Sequence, residues 1–66
     1  MKQITGKELA RLIEEHGWRL SRVKGSHHIY KHPNHREQIS IPIHGSRALT
    51  PGLARHLMNI AGLIVE

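Results

Sequence analysis

Apolar residues at Leu9, Leu12 and Ile13 recur at the i, i+3, i+4 spacing of one helix face. Start signals precede them. Thr5 and Glu8 have capping-box spacing, and Ile4 and Leu9 sit at the two positions of a hydrophobic staple. Gly17 supplies the stop. The pattern predicts a first helix from about Gly6 to His16. The period then changes to two. Trp18, Leu20 and Arg22 alternate with Arg19, Ser21 and Val23, as in a strand with two distinct faces. Gly25-Ser26 is a turn signal, and glycine in a two-residue loop can take a positive φ. His27 to Lys31 reads as a second strand, and Pro33-Asn34 as the next turn. Gln38 to Ile43 reads as a third strand with Ile39, Ile41 and Ile43 on one face. Pro42 has no N–H for a ladder, so this strand should lie at a sheet edge or end there. Thr50-Pro51 opens a second helix as N-cap and N1. Leu53, Leu57 and Ile60 form its stripe, and Gly62 its stop.

The element order is α-β-β-β-α. The expected class is α+β: a two-layer sandwich with a three-stranded antiparallel sheet and two helices on one face. Sixty-six residues make one domain, residues 1–66, with no repeat or linker. A core of this size supplies roughly 3–5 kcal/mol of net stability without staples. There is no cysteine, which excludes disulfides and thiolate zinc sites. There is no apolar run of the roughly 20 residues that a membrane span needs, and no signal-peptide core near the N-terminus. The reading is a cytoplasmic protein with no membrane association.

Charge changes the picture. Ten lysines and arginines stand against five acids, a net charge of +5. From His16 to Arg36 no acid occurs, while Arg19, Arg22, Lys24, Lys31 and Arg36 are all basic. A clustered basic block attracts polyanions, nucleic acid first among them. Charge for solubility alone is the bland counterpart.

Seven histidines raise three readings. A metal site would draw on His27, His28, His32 and His35. Adjacent strand residues point to opposite faces, however, so His27 and His28 cannot easily share an ion. Metal binding ranks third, and no cofactor is expected. A passive role suits His16, His35 and His56, at a helix end, a turn and a helix face, and His32 can simply fill the turn before Pro33. Phosphate chemistry would rest on His27, just after a glycine turn where backbone can approach a ligand. Imidazole exchanges protons near neutrality. RNA carries its own nucleophile, the 2′-OH, which a general base can launch at the adjacent phosphorus. Lys24 and Lys31 flank His27, and cations there would stabilise charge developing on phosphoryl oxygens.

The segments Glu14–Trp18, Lys24–Pro33, Ile41–His44, Thr50–Leu53 and Ala61–Leu63 together resemble the HicA family of toxins, small ribonucleases of type II toxin–antitoxin systems also called mRNA interferases. The Gly25-Ser26-His27-His28-Ile29-Tyr30 stretch, with His32-Pro33, carries the most specific part of the match. The resemblance implies a fold similar to double-stranded-RNA-binding domains and a HicB-type antitoxin partner. It places the family's catalytic histidine on His27 and turns His28 to the opposite side of its strand. Lys24, Gly25, Ser26, Lys31, Arg22 and Arg19 are the expected RNA contacts. Two other classes compete: a non-catalytic RNA-binding module, and an interaction protein whose basic face meets only an acidic partner.

Overall fold

A computed structural model describes residues 3–63. The elements run α1 (Gly6–Glu14), β1 (Arg19–Lys24), β2 (His27–Lys31), β3 (Ile39–Pro42) and α2 (Pro51–Ile60). The strands form one antiparallel sheet in the order β1-β2-β3. This is the α+β arrangement that the hydrophobic pattern predicts, and β3, which carries Pro42, is an edge strand.

Both helices start as their sequence signals require. The Thr5 hydroxyl accepts from the Glu8 N–H at 3.1 Å, and the Glu8 carboxylate accepts from the Thr5 N–H at 2.9 Å. Each such cap contributes about 1 kcal/mol. Thr50 caps α2 by accepting from the Leu53 N–H at 3.3 Å, with Pro51 following at N1. An isolated bridge between Thr5 and Ala48 ties the two helix entrances together.

One face of the sheet is covered. Leu9, Ala10 and Ile13 of α1 and Ala54 and Leu57 of α2, with Ala61 just beyond it, pack with Tyr30, Ile39 and Ile41. Residues directly opposite each other on paired strands share a face. Tyr30 pairs with Ile39, and His28 with Ile41, so these four turn toward the helices. Gly6 lets α1 approach closely. A Cβ there would lie 2.5 Å from the Pro42 carbonyl oxygen, a collision with backbone that nothing flexible can relieve.

The first strand departs from the simple alternation expected of it. Arg22 pairs with Ile29 but Leu20 pairs with Tyr30, so the register shifts around Ser21. The extra residue is a β-bulge. Without it, Arg22 and Leu20 would point the same way. With it, Leu20 and Val23 lie on the helix side, while Arg19, Arg22 and Lys24 share the other. The helices pack mainly toward β3, so Leu20 and Val23 stay about half exposed at 48% and 52%. Trp18, just before β1, is buried in the core cluster.

Trp18 marks the end of the sheet where α1 stops. Its ring meets His35 at 4.8 Å and His32 at 5.2 Å between centroids. His32 is more than turn filler. Its Nε2 lies 3.1 Å from the His16 carbonyl, which can only accept, and its Nδ1 accepts from the Asn34 N–H at 3.0 Å. Both ring nitrogens are therefore engaged and the tautomer is fixed with the proton on Nε2. Burial of Trp18 removes roughly 200 Å² from water, a gain of about 5 kcal/mol. Its Nε1 has no hydrogen-bond partner among the described residues, a cost of about 1–3 kcal/mol that does not overturn that gain.

The Tyr30 hydroxyl donates to the Glu14 carboxylate at 3.0 Å and so fastens β2 to the end of α1. Burial, then this hydrogen bond and the Glu14 charge, push the phenol from 10.0 up to about 12. The folded form thus resists ionisation. Stability linked to Tyr30 should be fully present below pH 10 and lost as pH rises through about 12. The chain has one tyrosine, so the phenolate absorbance reports this group alone. An alkaline titration should show a late midpoint in the folded protein, and Tyr30→Phe should flatten the alkaline fall in denaturation midpoint. A midpoint at the ordinary tyrosine value would contradict the buried pairing.

Candidate functional site

The open face of the sheet gathers the exposed cations and His27. Lys24 pairs with His27, Arg22 with Ile29, and Arg19 with Lys31 across β1 and β2. Ile29 pairs with Ser40, and His27 with Pro42, across β2 and β3. Four of the expected cations and His27 therefore share one surface, all exposed. The surface runs about 13 Å from His27 to Lys31, four strand residues apart. Ile29, near its centre, is buried. His28 points to the helix side, as its neighbour's exposure requires.

The turn that presents His27 is built by Gly25. Its φ is +61°, and no non-glycine residue among those described has a positive φ. A positive angle at the first central position alone is the type II′ pattern, whose twist suits a two-residue hairpin. Main-chain pairing then holds the segment on its other side, where the Ile43 N–H donates to the Ser26 carbonyl at 2.8 Å.

His27 is oriented by Ser40. Its Nδ1 lies 3.2 Å from the Ser40 hydroxyl oxygen. Where the hydroxyl accepts, the proton sits on Nδ1 and the Nε2 lone pair is left free. That is the form a general base requires. Ser26 does not bond His27. Its hydroxyl instead lies 3.3 Å from His44 Nε2, so Ser26 is engaged with a second histidine at the same end of the sheet.

Motif reading passed over Ser40, and it met His44 only as the end of the Ile41–His44 segment, without a role. Both alternate with Ile39, Ile41 and Ile43, so their face was legible. Their register against β2 was not, because the connection from His32 to Gln38 sets it. His32 and His35 are not part of the site, since they pack on Trp18 at the other end. His16 uses Nδ1 on the Leu12 carbonyl at 3.0 Å, and His56 is exposed on α2. Among the described residues, no three histidines or acids gather in a way that could hold a metal ion.

A shallow hollow of about 400 Å³ is lined by Glu14, Gly17, Trp18, Arg19 and Leu20. It lies at the opposite end of β1 from Lys24 and His27. An open cationic face beside one exposed imidazole fits a polymer lying across the sheet better than a small molecule enclosed in a pocket. No helix among the described residues is long and apolar enough to cross a membrane.

Comparison with known proteins gives one family. No curated protein matches the chain. The family model described as the HicA toxin of bacterial toxin–antitoxin systems matches residues 6–63. That span takes in both helices, all three strands, the Gly25-Ser26 turn and His27, Ser40 and His44. With most of the chain covered, this protein belongs to the HicA toxin family and is a toxin of a toxin–antitoxin system.

Proposed function

We propose that this toxin is a metal-independent endoribonuclease that cleaves mRNA, with His27 as the general base. The observation that carries the reading is the orientation of His27. It is exposed, its Nδ1 is held by Ser40, and it stands on a face shared with Arg19, Arg22, Lys24 and Lys31. His27 Nε2 takes the proton from a ribose 2′-OH. The freed oxygen attacks the adjacent phosphorus, and the bond to the 5′ oxygen breaks. The products are a 2′,3′-cyclic phosphate, or the phosphate left by its hydrolysis, and a 5′-OH. The cations neutralise charge on the phosphoryl oxygens as it develops. No step calls for a metal, because the ribose supplies the nucleophile.

Lys24, Lys31, Arg22 and Arg19 hold the RNA backbone, and the main chain at Gly25 and Ser26 approaches it closely. Residues 1–66 act as a single domain in the cytoplasm. A HicB-type antitoxin with acidic character covers His27 and the cationic face and keeps the toxin silent until it is degraded. The second reading, a non-catalytic RNA-binding module, uses the same cations but gives the Ser40–His27 pair no task.

His27→Ala should abolish cleavage, a loss of about 100-fold or more, while the thermal midpoint and RNA affinity stay near wild type. RNA shifted on a gel by the wild-type protein without being shortened would establish the binding module instead. Cleavage should also persist in excess EDTA. Activity lost to EDTA and restored by zinc or manganese would show that a metal takes part.

Salt dependence tests the cationic face. Each phosphate neutralised on single-stranded RNA contributes about −0.7 to the log–log slope of affinity against salt. Three or four contacts give a slope of roughly −2 to −3. Lys24→Gln or Lys31→Gln should weaken binding to unrelated sequences alike and flatten the slope by somewhat less than one unit. Unchanged slopes would make these lysines solvated bystanders.

A further inference from the structure

We propose that His44 is the second proton-transfer group of the site, the general acid that protonates the leaving 5′ oxygen. The proposal rests on the ribonuclease reading and completes it, since a single imidazole leaves one of the two proton transfers unassigned. Three observations bring His44 to the turn that presents His27. Pro42 is the register partner of His27, and His44 follows two residues later along the same chain direction. The Ile43 N–H to Ser26 carbonyl bond, at 2.8 Å, carries the pairing past the end of β3. The Ser26 hydroxyl, on the residue next to His27, lies 3.3 Å from His44 Nε2.

The position is also held from behind. The Arg47 N–H donates to the His44 carbonyl at 3.0 Å, closing a turn over Gly45 and Ser46. Two residues on, the Leu49 N–H donates to the Ile4 carbonyl at 2.8 Å, anchoring the loop to the start of α1. His44 is exposed, and with Nε2 on Ser26 its Nδ1 is the nitrogen left to meet a ligand. The two histidines are thus clamped in complementary ways. His27 is held by Nδ1 through Ser40, and His44 by Nε2 through Ser26. Each presents its other nitrogen.

The protons balance. In the first step His27 Nε2 accepts the proton of the 2′-OH as the 2′ oxygen–phosphorus bond forms. His44, protonated at both nitrogens, gives the Nδ1 proton to the 5′ oxygen as the phosphorus–oxygen bond breaks. His27 ends protonated and His44 neutral. In hydrolysis of the cyclic product the roles reverse. His44 takes a proton from the attacking water, and His27 returns its proton to the 2′ oxygen. Both residues are restored.

The test uses a leaving group that needs no proton. A phosphate cleaved by the wild-type protein is mapped in an RNA oligonucleotide. A second RNA is then made with sulfur in place of the bridging 5′ oxygen at that phosphate, so that thiolate can depart unassisted. His44→Gln should lose about 100-fold or more on the oxygen substrate, and should lose at least tenfold less on the sulfur substrate. His27→Ala should fall equally on both, because the nucleophile still needs a base. Ser26→Ala, which frees His44 without removing it, should show the His44→Gln pattern in weaker form. Equal losses on both substrates for a folded His44→Gln protein would overturn the proposal, as would undiminished cleavage of the natural RNA. A wild-type protein that cleaves neither RNA would overturn the ribonuclease reading and this one with it. Cleavage that depends on His27 but ignores His44 would overturn only this one.

Discussion

Strand β2 is paired on both sides, so each of its residues must serve one of two faces. One face is roofed by both helices and accepts only side chains that tolerate burial. Tyr30 meets this by giving its hydroxyl to Glu14. The other face is open, and His27 and Lys31 stand on it. Everything proposed for the site follows from this division. A shift of one residue in the pairing would exchange the faces and carry the imidazole of His27 toward the core. The Gly25-Ser26 turn and the bonds from β3 make that shift costly.

Strand β1 obeys the same division only because of its bulge. Trp18 must face the helices, since it is buried against the core. Lys24 must face water, since it pairs with His27. The two are six residues apart, and strict alternation would put both on one side. The extra residue at Ser21 resolves the conflict by shifting phase once within the strand. A buried lysine or a solvated tryptophan would each cost several kcal/mol. A local break in the ladder costs less, and it gathers Arg19, Arg22 and Lys24 on the open face.

The two ends of the sheet use histidine for unlike purposes. At one end His32 and His35 pack against Trp18, and His32 spends both ring nitrogens on backbone. Such an imidazole is structural. At the other end His27 and His44 each bond one serine hydroxyl and keep one nitrogen for solvent.

Local rules were enough to read much of this protein from its sequence. The Thr5–Glu8 box, the Thr50-Pro51 start, the stripes of both helices and the Gly25-Ser26 turn involve neighbours a few residues apart, whose geometry the backbone dictates. The GSHH segment carried the resemblance to the family, which the match over residues 6–63 bears out, and that resemblance is what singled out His27. The sequence could not settle phase and register between distant strands. Alternation alone set Arg22 beside Leu20 and missed the bulge, because the burial of Trp18 and the pairing of Lys24 act together only once the sheet has formed. It also left His32 as filler and His44 without a role. Their partners, the His16 carbonyl and the Ser26 hydroxyl, lie 16 and 18 residues away in sequence. Such pairings are set by how the layers pack against each other, and no local pattern encodes them.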